Sequence, residues 1–168
     1  MIPASSRIRA ERAGRLGLPM VLGYIGGTLA HLRPLVDAYR RAGERAGHPG
    51  ALKVAISTHF HAGADPARAR AVYPYYHVYL RPKRPGGRGF VVSQAAFDAG
   101  TSRQGAIMIG SAGEITDKLL EAVKVLDLDR VYAQVDWGSC APGGACGCRP
   151  CWDRAAPGDL FTGPDGLL

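Results

Sequence analysis

The segment Gly105-Ala106-Ile107-Met108-Ile109-Gly110-Ser111-Ala112-Gly113-Glu114 and its continuation to Trp137 indicate a fold by their pattern alone. Residues 106–109 form a short apolar run closed by a glycine, which is typical of a buried strand. Ser111 and Glu114 have the spacing of a capping box, in which a serine and a glutamate satisfy backbone amides at the start of a helix. The segment therefore predicts a strand followed at once by a helix.

The residues after Glu114 extend this unit. Apolar side chains recur there at helical spacing and form one stripe: Ile115, Leu119, Ala122, Val123 and Leu126. Residues 131–135 then have the composition of a second strand, followed by Asp136 and Trp137. A strand, a helix and a strand with short connections predict parallel strands joined by a right-handed crossover.

Ligands of parallel α/β folds bind at the carboxyl ends of the strands, where helices begin. Residues 110–113 lie at such an end, and their amides could hold an anion. Ser111 is therefore a candidate cofactor-binding residue. The alternative is that Ser111 only caps the helix.

Length and composition are those of an ordinary globular protein. The chain has 168 residues, of which 46% are hydrophobic and 21% charged, so one domain with one core is expected. No apolar run approaches the roughly 20 residues needed to span a bilayer. The amino terminus has no apolar segment typical of a secretory signal. We therefore expect a cytoplasmic protein without a membrane partner.

The formal net charge of +7 raises the question of nucleic-acid binding. Most arginines are scattered over predicted helices, and the only dense basic run is residues 81–88. We interpret this run as a solvated loop. No nucleic-acid partner is predicted.

The rest of the chain alternates predicted helices and strands. Helices are expected at residues 5–16, from Thr28 to residue 46, and from Asp65, and strands at residues 18–24 and 52–60. The aromatic segment 73–77 should pack across a barrel rim or line a pocket, and the long segment 80–105 reads as an inserted loop with a short helix at 93–99. About four parallel strands are too few to close a barrel of eight, so the order predicts part of one.

Four further residues follow strands or end them. Gly26 and Gly27 follow the first strand and allow close backbone approach, either by a ligand or in a tight turn. His59 and His61 share one face at the carboxyl end of the second strand and are candidates for a substrate pocket. The alternative for both histidines is a structural role.

The order and spacing of short motifs in this sequence resemble the bacterial luciferase-like, flavin-dependent monooxygenases. The motifs are residues 12–19, 25–27, 34–40, 46–48, 65–71, 73–74, 110–114 and 135–136. The resemblance covers roughly residues 6–138, which correspond to the carboxyl-terminal half of a typical member.

The resemblance implies an incomplete (β/α)8 barrel that binds FMN or a deazaflavin at the carboxyl ends of its strands. Reduced flavin would react with oxygen there, or pass hydride, to oxidise a small organic substrate. Family members seat the flavin phosphate near the loop that corresponds to Ser5 and Ser6, while the strand before that loop is expected to be missing. Gly26, Gly27 and Ser111 complete the candidate cofactor-binding set, and no catalytic residue is carried over. A complementary barrel half or a second copy of the chain is an expected partner.

The sequence departs from the family after Gly138, where a last helix would be expected. All four cysteines lie here: Cys140, Cys146, Cys148 and Cys151. Their spacing lacks the paired two-residue gaps of a convincing zinc ribbon, so no metal ligand is assigned. A zinc knuckle, a disordered tail and a shifted reading frame remain open.

The sequence thus predicts a barrel half at residues 1–138 and an irregular tail rich in Cys, Gly and Pro at residues 139–168, which we expect to be disordered. The predicted function is that of a fragment of a flavin-dependent monooxygenase or oxidoreductase. The alternatives are a truncated product without independent activity and a zinc-binding interaction module that uses the cysteine cluster.

Overall fold

The computed structural model describes residues 2–3 and 5–135, in which parallel strands alternate with helices. The strands are β1 (Ile2–Pro3), β2 (Met20–Gly23), β3 (Val54–Gly63), β4 (Met108–Ser111) and β5 (Arg130–Gln134). The helices are α1 (Arg7–Arg15), α2 (Leu29–Arg45), α3 (Pro66–Arg70), α4 (Tyr73–Leu80), α5 (Gln94–Thr101) and α6 (Ala112–Leu126), with a 3₁₀ turn at Pro49–Ala51. The predicted tail at residues 139–168, with its cysteine cluster, lies outside the described residues, and so do Asp136 and Trp137 before it.

Strand β3 is the centre of the sheet. Its first residues pair with β2, in the register Met20↔Val54, and with β5, in the register Ala55↔Arg130. Its last residues pair with β4, in the register Phe60↔Met108. All of these pairings are parallel, as predicted, although β4 and β5 join β3 at different levels rather than each other.

The expectation that the strand before Ser5 and Ser6 is missing was wrong. Ile2 and Pro3 form the two-residue strand β1, which pairs in parallel with β2 in the register Ile2↔Met20. Two residues show no periodicity, so the sequence pattern could not reveal this strand. A proline is tolerated there because β1 is the edge of the strand order.

The sheet separates two apolar clusters. The larger cluster lies between the sheet and helices α1, α2 and α6, and it includes Met20, Ile56 and Met108. The smaller cluster joins α3, α4 and α5 to the opposite face of the sheet through Ile109 of β4 and Ile107 just before it. Alternation along β4 therefore connects both layers of the molecule.

Helix α6 confirms most of the pattern read from the sequence. Ser111 Oγ accepts the amide of Glu114, and a Glu114 carboxylate oxygen accepts the amide of Ser111, so the capping box is complete. Ile115, Ala122 and Leu126 are buried, and Leu119 packs against the core. Val123, predicted to lie in the same stripe, is 42% exposed because it sits at the edge of that face.

Two other expectations about the chain's surface can be compared with the described residues. None of the described helices is long and apolar enough to cross a membrane. The basic run 81–88 lies in an exposed loop between α4 and α5, and the short helix expected at 93–99 is α5, capped by the Ser93 side chain.

Helices α1 and α2 approach each other closely through glycine. A Cβ atom at Gly14 would overlap the carbonyl oxygen of Tyr39 and lie 3.0 Å from the amide of Gly43. Both neighbours are backbone atoms of α2, which cannot move aside without shifting the helix. The chain therefore needs a residue without a side chain at position 14.

We expect the substitution Gly14→Ala to lower the free energy of unfolding by about 1–3 kcal/mol, because overpacking outweighs the higher helix propensity of alanine. Urea unfolding followed by circular dichroism measures this. Gly113→Ala is the control, since a Cβ there meets no atom within 4 Å; its unfolding midpoint should be unchanged or higher. Equal midpoints for the two variants would contradict the steric argument.

Candidate active site

A cavity of about 820 Å³ lies at the carboxyl ends of β2 and β3. The segment after β2 lines it with Gly26 and Gly27, and β3 contributes His59. The third wall comes from far along the chain, from α4, from the segment that follows residue 89, and from residues 99–107. The structure thus brings together three of the residues that the sequence singled out.

His59 and Tyr76 form the main polar feature of this cavity. His59 is buried, and its Nδ1 atom lies 2.8 Å from the Tyr76 hydroxyl. Burial lowers the pKa of His59, an effect opposed by a hydrogen bond with the Gln134 side chain, and burial raises the pKa of Tyr76 to about 12. Both groups are therefore uncharged near neutral pH, and one proton is shared along their hydrogen bond.

The aromatic rings around His59 fix its orientation. The Tyr76 and Tyr79 rings both meet the imidazole edge-on, at centroid distances of 5.4 and 6.1 Å. Tyr76 also packs against Phe97 of α5 at 5.3 Å. The aromatic segment 73–77 therefore does both things that the sequence allowed, since it packs α4 onto α5 and lines the cavity.

Gly26 and Gly27 leave room beside the cavity. A Cβ at Gly26 would meet no atom within 4 Å, so this wall is bare backbone facing open space. Gly27 has φ +77°, a conformation that side chains of L-residues rarely adopt. The two interpretations left open by the sequence, a tight turn and a ligand approach, both fit this geometry.

The remaining walls are apolar and were not identified from the sequence. Leu80, Phe90 and Ile107 are the largest apolar side chains among them. Phe90 is 64% exposed and, with its 74% exposed neighbour Val91, adds apolar surface to the rim of the cavity. The apolar run 90–92 in an otherwise polar loop was the available signal, but nothing local assigned it to the cavity.

The other predicted site residues lie outside this cavity. Ser5 and Ser6 are exposed at the start of α1, where Ser5 Oγ accepts a hydrogen bond from Arg9. His61 is half-buried two residues beyond His59, and burial lowers its pKa. Ser111 is engaged by Glu114, which also pairs with Arg70 at 2.9 Å. Their predicted roles in cofactor and substrate binding stay predictions.

The described residues contain no group of three or more His, Cys, Asp or Glu side chains placed to hold a metal ion. The cysteine cluster of the sequence analysis lies beyond them. The site at the strand ends is thus built from backbone, apolar side chains, Thr28 and one uncharged histidine–tyrosine pair.

A family model described as luciferase-like monooxygenase matches residues 1–128. The chain belongs to this family. A comparison with the curated proteins found no significant match.

Solved structures with the same fold include the monooxygenase RslO1 from Streptomyces bottropensis, which is 18% identical with a TM-score of 0.60, the match covering 80% of this chain and 40% of RslO1. The coenzyme F420-dependent tetrahydromethanopterin reductase from Methanopyrus kandleri is 14% identical, with a TM-score of 0.56 and coverage of 79% and 44%. Apo-MsnO8 is 19% identical, with a TM-score of 0.55 and coverage of 80% and 45%.

These matches confirm the predicted α/β fold, a part of the (β/α)8 barrel of luciferase-like proteins. The chain spans less than half the length of each of these three structures. The open sheet described above is therefore the expected form of an incomplete barrel.

A second cavity of this luciferase-like chain, about 280 Å³, contains a buried lysine. Lys118 lies on the core-facing side of α6, and its Nζ atom donates to the carbonyl oxygens of Ile107 at 2.7 Å and Thr101 at 3.4 Å. Burial lowers its pKa to about 8, an effect opposed by the charge of Glu114. The signal for this residue was its place within the apolar stripe, three residues after Ile115.

The lowered pKa makes stability depend on pH in a defined direction. Between pH 8 and the ordinary lysine pKa near 10.4, the unfolded chain holds a proton that folded Lys118 has lost, so the free energy of unfolding rises with pH. We expect wild type to gain about 1–2 kcal/mol relative to Lys118→Met between pH 8 and pH 10, measured by urea unfolding. Parallel pH profiles for the two proteins would rule out a depressed pKa.

Proposed function

We propose that this chain is part of a flavin-dependent monooxygenase or oxidoreductase that acts on a small organic substrate with reduced flavin and oxygen. The observation that carries the proposal is the large, mostly apolar cavity at the carboxyl ends of β2 and β3. Cavities of this size and character are the usual sites of cofactors and small substrates. Family membership supplies the reaction class.

The residues present suit a flat, largely apolar ring system. Backbone at Gly26 and Gly27 allows a planar group to approach closely, and Leu80 and Phe90 offer apolar surface to its other parts. The cofactor would be FMN or a deazaflavin. Solved structures of the same fold include two enzymes that depend on coenzyme F420. When bound, a flavin supplies the electron transfer that amino-acid side chains cannot.

This chain's own residues would bind the ligand, exclude water and hold a proton. The buried His59 presents an uncharged imidazole. Its hydrogen bonds with Gln134 and Tyr76 keep the ring oriented. An uncharged imidazole at neutral pH can accept a proton from a ligand without first losing one of its own. Apolar walls exclude water from that position.

A further part of the barrel would come from a complementary half or a second copy of the chain. Strand β5 pairs with β3 and with no other strand of the described residues. Tyr132 on this strand and Val135 just after it are exposed, as expected for a strand prepared to take another neighbour. A product without independent activity, and a zinc module built on the cysteine cluster, remain the alternatives.

We expect FMN to bind the purified chain, alone or together with a separately expressed amino-terminal barrel half, with quenching of flavin fluorescence as the measurement. Gly26→Val should weaken this binding at least tenfold, because the new side chain enters open space in the cavity without disturbing the fold.

Gly50→Val is the matched control. Gly50 lies in the 3₁₀ turn, away from the cavity, and a Cβ there also meets no atom within 4 Å. Its affinity for FMN should equal that of wild type. Absence of FMN and F420 binding in both states of the wild-type chain would contradict the proposed function, and equal affinities for the two valine variants would exclude this cavity as the site.

A further inference from the structure

The exposed loop between α4 and α5 has a defined shape. We name residues 81–89 the basic finger. Its base is closed by a hydrogen bond of 2.7 Å from the amide of Phe90 to the carbonyl oxygen of Leu80, and its tip by one of 2.9 Å from Gly87 to Arg84. Both residues at the base, Leu80 and Phe90, line the large cavity. The finger therefore stands at the mouth of that cavity.

Glycines maintain this shape. Gly86 has φ +70°, the conformation required at the third position of a tight turn that begins at Arg84. A Cβ at Gly89 would lie 2.5 Å from the Pro82 nitrogen and 2.7 Å from the Leu80 carbonyl oxygen, so the two sides of the finger touch through backbone. A merely solvated basic loop has no need of such close contacts.

The finger concentrates the charge of the chain. Residues 66–97 contain six arginine or lysine residues and no aspartate or glutamate, so this segment accounts for six of the formal +7. Arg68 and Arg70, which precede the finger, pair with Asp65 and Glu114.

Within the finger itself no cation has a carboxylate partner among the described residues. Lys83 donates to the carbonyl oxygen of Val78 at 2.8 Å. The guanidinium groups of Arg81, Arg84 and Arg88 make no hydrogen bond or ion pair to any part of the chain that the structure describes. Three uncommitted guanidinium groups thus belong to a loop whose two ends, Leu80 and Phe90, line the cavity.

We propose that the basic finger binds the anionic group of a ligand whose apolar body occupies the large cavity. The proposal rests on the cavity being a ligand site, as in the proposed function, and it narrows the ligand class to an amphiphile with a carboxylate, sulfonate or phosphate at one end. Guanidinium groups recognise such planar or tetrahedral anions by paired hydrogen bonds. The same chemistry would suit the phosphate of a cofactor and the acidic group of a substrate.

Two dyes with the same aromatic body test this without any flavin chemistry. Anilinonaphthalene sulfonate carries one negative charge, while phenylnaphthylamine is uncharged, and both fluoresce on entering an apolar site. We expect the double variant R84Q/R88Q to bind the anionic dye about tenfold more weakly than wild type and the uncharged dye equally well. Added salt should weaken binding of the anionic dye to wild type more than to the variant.

The control is R12Q/R41Q, which also removes two exposed arginines that carry no ion pair. It should bind both dyes like wild type, because the net charge falls equally but the mouth of the cavity is intact. Equal losses of affinity for the anionic dye in the two double variants would show that net charge alone explains the effect, and would overturn the proposal. So would equal losses for both dyes in R84Q/R88Q, or no binding of the anionic dye to wild type.

A second pair of probes identifies the source of the anion. FMN and riboflavin share one ring system and differ by the phosphate. A tenfold loss for FMN but not for riboflavin in R84Q/R88Q would assign the finger to the cofactor phosphate, and a loss confined to the dye would assign it to an acidic substrate. If neither flavin binds but the dye depends on the finger, the proposed function fails while the finger's role stands.

Discussion

The hydrogen bonds at the start of strand β3 set the register of nearly every other element. The carbonyl oxygen of Lys53 accepts the amide of Met20 at 2.9 Å and the hydroxyl of Tyr39 at 3.2 Å, which joins β2 and α2 at one point. One residue further, Val54 exchanges two hydrogen bonds of 2.8 Å with Asp129, through its amide to the carboxylate and its carbonyl oxygen to the amide. Burial disfavours the charge of Asp129, yet the bonds from Val54 and Lys53 lower its pKa overall.

This fixed start determines which residues of β3 face the core. Val54 and Ile56 enter the large apolar cluster, and a shift of one residue would put His59 there instead. Thr58 still pairs with β5, two residues before pairing with β4 begins at Phe60, and its hydroxyl donates to the carbonyl oxygen of Ala106 at 2.9 Å. The opposite face is consequently left to small or polar residues, which is why a cavity with one buried histidine forms on that side.

Features that depend on neighbours in sequence could be predicted, and features that depend on distant segments could not. The capping box of Ser111 and Glu114 is complete within four residues, so its spacing was sufficient. Alternation along β3 placed His59 on the open face, and the glycines after β2 marked the second wall. By contrast, β1 is stabilised by pairing with β2, and two residues carry no pattern of their own.

Buried Lys118 is another feature that depends on distant segments of the chain and could not be predicted in full. Its position in the apolar stripe was readable, but its two carbonyl partners belong to Thr101 and Ile107, which only the fold brings near α6. Similarly, the basic run was correctly expected to be an exposed loop, whereas its closure by Leu80 and Phe90 required the path of the chain between α4 and α5.

The polar groups around the large cavity are distributed unevenly, which favours one orientation of an entering ligand. The main polar element inside is the uncharged pair of His59 and Tyr76, held by burial and by edge-on aromatic contacts. The other is the basic finger, whose ends, Leu80 and Phe90, line the cavity and whose three guanidinium groups have no partner among the described residues. A ligand that entered charge-first would have to desolvate its anion against an uncharged imidazole, at a cost of several kcal/mol. For the ligand proposed above, entry with the apolar or uncharged end leading avoids that cost and leaves the charge outside the cavity.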